Sequence, residues 1–438
     1  FWIALSKTEM VPILQVALDF VDLHRAIKVA EEAAEGGADW LEAGTPLIKS
    51  EGLNAVRRLH EVFPALPIVA DMKTMDTGRI EMEMAAKAGA RSAIVMGAAC
   101  ESTIKECISA GRNYGLDIGV DLLGVEDPLK RAQEAEDWGA GYLSIHASVD
   151  DQMKGLNPFG RLKEVAAQVS IPIAVAGGIN SENAAEAVRY GAQIVIVGGA
   201  ISKAPDAKKA TKEIKEALLT GKRIPTELYK RTSGNGLKEV LLKVSTPNIS
   251  DGSHRAGGLI GLQAVVSGVK MVGRALTVRC YPGDWAKPVE AIDVAQEGQV
   301  LVIDAGGVGP AIWGELATHS AIQKGLAGVV INGAIRDTYE IRRLNFPAFA
   351  KLVMPNAGEP KGFGEIGVPV TISGITIYSG DWIVGDDDGV MVISRREAKE
   401  MANYAMDWLE KENRIRAEIQ KGSTSLARVI DLLKWEKK

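Results

Sequence analysis

Along the first half of the chain one pattern recurs about every 25 residues: a run of apolar residues, a polar turn, an amphipathic stretch, then a glycine. The apolar runs at 13–19, 39–43, 67–73, 92–97, 117–123, 142–146, 172–176 and 193–197 predict eight strands. Stretches such as 22–35, with Leu23, Ala26, Ile27 and Ala30 on one face, and 103–113 predict helices between them. Short continuous apolar strands alternating with helices imply a parallel sheet covered on both faces. Gly37-Ala38, Gly89-Ala90, Gly139-Ala140 and Gly191-Ala192 each fall between a helix and the next strand, where a left-handed backbone favours glycine. Eight such units close into a (β/α)8 barrel. An open doubly wound sheet is the rival, which eight regular units disfavour.

The pattern changes in the middle. From 203 to about 230 the chain is charged and helical, then polar around Gly221, Pro225, Gly234 and Gly236. Beyond that, strands are predicted at 271–281, 299–303, 328–331, 369–378 and 389–393, with a helix at 310–324 and a long charged helix at 395–420. This is a mixed, β-rich α/β domain. The division is a barrel at 1–220, a linker at 221–236 and a second domain at 237–438.

Composition narrows the functional classes. A chain of 438 residues exceeds one ordinary core, so two domains are expected. A net charge of −5 gives no electrostatic reason to expect nucleic acid or an anionic membrane as partner. Cys100, Cys107 and Cys280 have no paired or metal-type spacing, which fits a reduced, cytoplasmic protein. The apolar start at 1–5 is stopped by Lys7 and Glu9, too short for a signal-peptide core or a membrane span.

In barrel enzymes the reacting groups sit where strands end. Asp19, Glu42, Asp71, Lys73, Asp121 and His146 fall there. Gly177-Gly178 and Gly198-Gly199 follow the last two strands, where exposed backbone N–H groups and a following helix N-terminus would grip a phosphate. Strand alternation puts Asp71 and Lys73 on one side, and the carboxylate keeps the lysine cationic, suited to stabilising an enediolate rather than forming a Schiff base. Glu42 could join Asp71 in holding Mg²⁺, a hard cation that prefers oxygen. Taken singly, an Asp-x-Lys is usually a surface ion pair, a Gly-Gly a turn and a histidine a core residue; their joint placement at the strand ends of one barrel is what points to a site. Asp19 and Asp121 could alternatively cap helices. His24 and His60 fall on helices and read as surface residues.

These residues resemble the 3-hexulose-6-phosphate synthase branch of the orotidine-phosphate decarboxylase superfamily. The likeness rests on Val16-Ala17-Leu18-Asp19, Glu42-Ala43-Gly44-Thr45-Pro46, Asp71-Met72-Lys73-Thr74-Met75-Asp76, Ala176-Gly177-Gly178-Ile179 and Val197-Gly198-Gly199, with His146 followed by Asp150, Gln152 and Gly155. The resemblance implies that Glu42 and Asp71 bind Mg²⁺, that Lys73 stabilises the enediolate of ribulose 5-phosphate, that Asp76 reaches a partner subunit's site, and that His146 transfers protons, with Asp19 also catalytic. The implied reaction is reversible aldol addition of formaldehyde to ribulose 5-phosphate, giving a 3-hexulose 6-phosphate. A decarboxylase of a keto-sugar phosphate is the enzymatic rival.

In the second half, Trp313-Gly314-Glu315-Leu316 opens a predicted helix whose N–H groups could hold a substrate carboxylate. Gly333-Ala334-Ile335-Arg336-Asp337 follows a strand predicted to end at Asn332, with Asp337 a possible metal ligand and Arg336 a countercharge for an enolate. Alone, an Arg-Asp dipeptide is by default a structural ion pair. With Ser250-Asp251, Gly380-Asp381 and Asp386-Asp387-Asp388-Gly389-Val390, this half resembles the family of the regulator of ribonuclease activity A and 4-hydroxy-4-methyl-2-oxoglutarate aldolase. The resemblance implies a swivelling β/β/α fold, trimers or hexamers, Mg²⁺ or Mn²⁺, cleavage of a pyruvate-yielding oxo-acid, and a site built from Glu315, Arg336 and Asp337 with a neighbour's glutamate such as Glu412. Asn332 stands where many members have Asp, and Gly252 where Ala is common. The regulatory branch shares the motif, so a non-catalytic module is the alternative. Both resemblances together imply a homo-oligomer of dimeric barrels and trimeric C-terminal domains.

Overall fold

In the computed structural model, residues 11–422 and 424–430 are described. The apolar start at 1–5 lies outside them. The first eight strands are β1 (Ile13–Leu18), β2 (Trp40–Ala43), β3 (Ile68–Thr74), β4 (Ser92–Met96), β5 (Asp117–Asp121), β6 (Tyr142–His146), β7 (Ile173–Ala176) and β8 (Ile194–Val197). They pair in sequence order and close, β1 returning to β8 in parallel with Ile13 opposite Ile194 and Val16 opposite Val197.

The expected alternation of helix, glycine and strand has a visible cause. Asp22, Asp127 and Asp206 cap three helices by accepting from the N–H of Arg25, Lys130 and Lys209 at 2.8, 3.0 and 2.9 Å, each cap contributing about 1 kcal/mol. The four glycines read as helix terminators all have φ between 90° and 103°. Helix faces carrying Ala26, Val29, Ala30 and Ala33, or Ile104, Cys107 and Ile108, pack on the outside of the strands. Inside the cylinder Ile13, Trp40, Val69, Tyr142 and Ile194 fill the lower layers. Ala17 and Ala176, near the strands' C-terminal ends, are small and leave room for a cavity there.

The second half forms a mixed sheet. Its strands are β9 (Gln263–Ala264), β10 (Met271–Cys280), β11 (Val300–Asp304), β12 (Ala311–Trp313), β13 (Gly328–Ile335), β14 (Ala348–Val353), β15 (Gly364–Ile366), β16 (Val370–Ile372), β17 (Ile375–Ile377), β18 (Trp382–Asp386) and β19 (Gly389–Ile393). The order β19-β18-β10-β11-β13-β14-β9 has a parallel centre, β10-β11-β13-β14, with antiparallel partners outside it.

Three expectations for this half are corrected. The helix predicted at 310–324 starts only at Glu315, because Ala311–Trp313 pairs with β13 as a strand. The run at 369–378 is a hairpin of β16 and β17, turned at Ser373 and Gly374, both with positive φ. The strand expected to stop at Asn332 continues to Ile335 across a register shift.

The chain divides into two compact units that do not follow a single cut. The first takes in the described residues up to Gln152, then Leu156–Arg231, and the described residues from Glu410 onward; the second takes in Met153–Gly155 and Thr232–Leu409. Residues 221–231, read from sequence as a linker, thus pack with the barrel, and Tyr229 belongs to its core. The terminal helix Ala398–Gly422, assigned from sequence to the second domain, has its later part in the first unit. There the buried Arg414 pairs with Glu32 at 2.7 Å and Glu418 at 2.6 Å and donates to the carbonyl of Ala204 at 3.1 Å. Among the described residues no helix is long and apolar enough to cross a membrane.

Candidate active site at the mouth of the barrel

A cavity of about 570 Å³ opens at the C-terminal ends of the barrel strands. Asp19, Glu42, Asp71, Lys73, Asp121 and His146 all line it, and so do Gly177, Gly178, Gly198 and Gly199. Of the barrel residues singled out from sequence, the structure leaves one apart. Asp76 is exposed, accepts a hydrogen bond from the N–H of Thr77 at 2.7 Å and does not line this cavity.

Lys73 is the hub. Its Nζ lies 3.3 Å from Asp71 Oδ2 and 3.2 Å from Asp121 Oδ2. Simple strand alternation is not what brings Asp71 and Lys73 together. The register of β3 against β4 shifts between Ala70 and Thr74, and Lys73 has a φ of 46°. A non-glycine residue held in the left-handed region costs free energy that the surroundings must offset, a feature common at functional sites. Burial opposes the charge on Lys73, but the carboxylates of Asp71, Asp121 and Glu42 outweigh it and hold the ammonium above its ordinary pKa.

Asp121 is buried and also meets His146 Nδ1 at 3.3 Å, while its other oxygen accepts from the N–H of Leu123 at 2.9 Å. Burial alone would raise its carboxyl; the hydrogen bond with His146 and the Lys73 cation bring it below the ordinary value. With an ionised carboxylate as acceptor, Nδ1 of His146 carries the hydrogen and Nε2 is left for proton exchange.

On the other side of Lys73, Glu42 is buried and receives Gln15 Nε2 at 2.5 Å, and Asp71 Oδ2 accepts from Thr45 Oγ1 at 2.7 Å. Burial, then Asp71 and Asp19, push the Glu42 carboxyl well up. Asp19 is reached by solvent yet enclosed by barrel wall, and that enclosure, followed by Asp71, raises its carboxyl too. Gly44 lets the Asp19 carboxylate lie close to the backbone, since a Cβ there would fall 2.2 Å from Asp19 Oδ1 and displace it.

Asp71 raises the carboxyls of both Glu42 and Asp19, and the three offer hard oxygen donors whose crowding a divalent cation would relieve. Among the described residues no group of three His, Cys, Asp or Glu side chains is close enough to hold an ion by itself. Mg²⁺ keeps waters or substrate oxygens and takes only one or two carboxylates from protein. Glu42 and Asp71 fit such a role.

Opposite this cluster, Gly177 and Gly178 line the cavity with φ values of 106° and 72°, conformations that glycine adopts at low steric cost. The expected help from a helix N-terminus is slight. After β7 the next helix begins only at Ala184, and after β8 the helix Gly199–Ser202 is a single turn. Gly199 is glycine for a second reason: its Cβ would meet the Tyr229 ring at 2.0 Å. Thr45 and Gln152, quoted from sequence only as parts of motifs and given no role, line the site; Gln15 and Tyr229, which also line or support it, were not selected from sequence. Gln15 carried a signal, as a lone amide within an apolar strand; Tyr229, on an irregular segment, carried none.

In the second unit, Gly314, Glu315, Arg336 and Asp337 do come together. Asp337 Oδ2 accepts from the N–H of Glu315 at 3.2 Å and lies 3.5 Å from Arg336 Nε. A Cβ on Gly314 would sit 2.5 Å from that same oxygen. The helix N-terminus expected to receive a substrate carboxylate therefore receives Asp337 itself. Asp337 has a φ of 58°, and Leu316 is exposed. Asn332 donates to Asp304 at 2.8 Å. Glu412, expected to arrive from a neighbour, is half-buried on the terminal helix and packs with the first unit of its own chain. Asp337, already engaged by Glu315 and Arg336, does not by itself make a metal site here.

Comparison with known proteins agrees with this division. Residues 12–214 match the orotidine 5'-phosphate decarboxylase / HUMPS family, and residues 246–392 match the RraA-like Aldolase/RraA family. The 3-hexulose-6-phosphate synthase of Mycobacterium gastri is 37% identical over 205 residues, which are 47% of this chain and 99% of that protein. The synthase of Bacillus subtilis is 36% identical over 209 residues, 48% of this chain and 99% of its own. A solved structure of the RNA-processing inhibitor RraA from Thermus thermophilis is 30% identical, covering 34% of this chain and 92% of that one with a TM-score of 0.32.

Proposed function

The chain belongs, through residues 12–214, to the orotidine 5'-phosphate decarboxylase / HUMPS family, and from that premise we propose that its barrel is an aldehyde-lyase joining formaldehyde to ribulose 5-phosphate. The product is a 3-hexulose 6-phosphate, and the reaction is reversible. The observation that carries this reading is Lys73, fixed between Asp71 and Asp121 on the wall of a cavity whose opposite side is built from Gly177-Gly178 and Gly198-Gly199.

The glycine loops hold the phosphate through backbone N–H groups. A 2-ketose becomes a 3-ketose when one carbon is added at C1, so a proton leaves C1, the C1–formaldehyde bond forms, and the former aldehyde oxygen takes a proton. His146 Nε2, with Asp121 fixing its tautomer, is the group placed to exchange those protons, and Asp19 faces the same space. Lys73 places a permanent cation where the enediolate's negative charge develops. Mg²⁺ or Mn²⁺, when bound by Glu42 and Asp71, supplies further positive charge for the substrate's neighbouring oxygens. Asp76 acts in a partner's site, the barrels pairing through the surface where Met75, Ile80 and Met84 are exposed around it. Light scattering that finds only monomers would count against this pairing.

The test is formaldehyde-dependent consumption of ribulose 5-phosphate by the full chain with Mg²⁺, suppressed by Lys73→Ala. Decarboxylation of a keto-sugar phosphate without any aldol activity would instead favour the rival chemistry.

For the second unit, the strained Asp337 beside Arg336 supports an oxo-acid aldolase that completes its site across a trimer. Pyruvate release from 4-hydroxy-4-methyl-2-oxoglutarate, lost in Asp337→Ala while barrel activity persists, is the expected result. An absence of turnover across a broad oxo-acid panel would make this unit a regulatory or oligomerising module.

A further inference from the structure

Tyr229 lies beyond the family-matched stretch, on the segment after the barrel's last helix, Ala207–Thr220. It is nevertheless buried and lines the barrel cavity. Its ring rests on Gly199, in the loop after β8, where no side chain would fit. Its hydroxyl donates to Gln152 Oε1 at 3.1 Å, and Gln152 Nε2 in turn donates to the carbonyl of Ala147, next to His146, at 2.8 Å. Asn180, in the loop after β7, donates from Nδ2 to the carbonyls of Leu228 and Tyr229 at 3.1 and 3.4 Å. One side chain and its backbone therefore touch the loops after β6, β7 and β8 together.

The residue is held there against its own preference. Tyr229 has a φ of 53°, a left-handed conformation that a bulky side chain adopts only when its surroundings impose it. Glu410 on the terminal helix accepts from its N–H at 2.7 Å and pairs with Arg231 at 2.8 Å. The Arg231 guanidinium stacks 4.0 Å from the ring centroid and Lys203 Nζ lies 5.4 Å from it. Glu410 balances the charge of Arg231, so it is Lys203 that adds positive potential near the ring and the Gly199 on which it rests.

We infer that Tyr229 is a positioning residue for the phosphate end of the substrate: it locks the loops after β6, β7 and β8 in the arrangement that grips a phosphate ester. The inference rests on the proposed phosphate grip, but not on which bond the enzyme makes or breaks. Unlike general stabilisation, it predicts a loss confined to the phosphate-bearing substrate.

The experiment uses the full chain with Tyr229→Ala and Tyr229→Phe, each checked against wild type by melting temperature. Binding of ribulose 5-phosphate and of inorganic phosphate is measured by calorimetry, and KM by steady-state assay. Tyr229→Ala should weaken both ligands by about tenfold to a hundredfold, as loss of preorganised geometry does. Tyr229→Phe, which keeps the ring on Gly199, should weaken them by about threefold to tenfold through the missing Gln152 bond. In both, KM for formaldehyde should stay put. Folded variants that bind both phosphate ligands like wild type would overturn the role of Tyr229 and leave the activity reading standing. Wild-type protein that binds neither ligand would overturn the phosphate grip itself, and this inference with it.

Discussion

Lys73 Nζ and Asp121 Oδ2 meet at 3.2 Å although they come from strands β3 and β5, with β4 between them. The same Asp121 oxygen reaches His146 from β6, so one buried carboxylate orders both the cation and the proton carrier. Asp121→Asn preserves the shape but removes the charge. It should lower kcat by roughly tenfold to a hundredfold with little change in KM for ribulose 5-phosphate. A kcat equal to wild type would remove Asp121 from the mechanism.

The proposed metal requirement of the barrel rests on its crowded carboxylates. Chelation should abolish aldol activity, and Mg²⁺ or Mn²⁺ should restore it. Added Mg²⁺ should also raise the melting temperature of wild type, because a ligand that binds only the folded form stabilises it. That rise should vanish in Glu42→Gln and in Asp71→Asn, a readout that does not depend on turnover.

The segment carrying Tyr229 is fastened by Glu182. Its carboxylate accepts from the N–H of Thr226 at 3.0 Å and pairs with Lys230 at 2.9 Å and with Arg223. Burial works against the charge, yet these partners bring its pKa down to about 2 from an ordinary 4.5. A folded value below the unfolded one means stabilisation that is complete above pH 4.5 and fades as pH falls toward 2. The stability difference between wild type and Glu182→Gln, about 1 kcal/mol or less for such a pair, should therefore be present at neutral pH and shrink on acidification. A constant difference across that range would assign the effect to packing.

Arg414 sits buried between Glu32 and Glu418. Arg414→Leu takes the countercharge from Glu32 and the nearer of two from Glu418, which keeps Arg25 at 3.4 Å, and should destabilise the first unit by roughly 3 kcal/mol, the low end for a broken buried pair. Adding Glu32→Leu and Glu418→Leu should recover much of the loss. Urea unfolding followed by tryptophan fluorescence would show both shifts.

The barrel was legible because its signals are local. Apolar runs of strand length, aspartate caps and Gly-Ala terminators each specify a piece of backbone without help from distant residues. The members of the reacting cluster were legible because strand ends in a barrel converge by topology, whereas the left-handed turn at Lys73 beside Asp71 was not. What escaped was set by tertiary contact. Ala311–Trp313 became a strand because β13 was there to pair with it, and the irregular stretch at 221–231 joined the barrel through Glu182 and Glu410, neither of which its own composition announces. Likewise, Asp337 could be picked out as a polar residue after a strand, but not that its carboxylate turns back onto the N–H of Glu315.

The return of residues from Glu410 onward to the first unit has a consequence for the order of synthesis. A ribosome releases the eight strands early, but Glu410 and Arg414 emerge only after the whole intervening sheet has been translated. The nascent barrel must wait with the N–H of Tyr229 lacking its Glu410 acceptor, and a gene cut just after residue 231 would leave it permanently in that unfinished state.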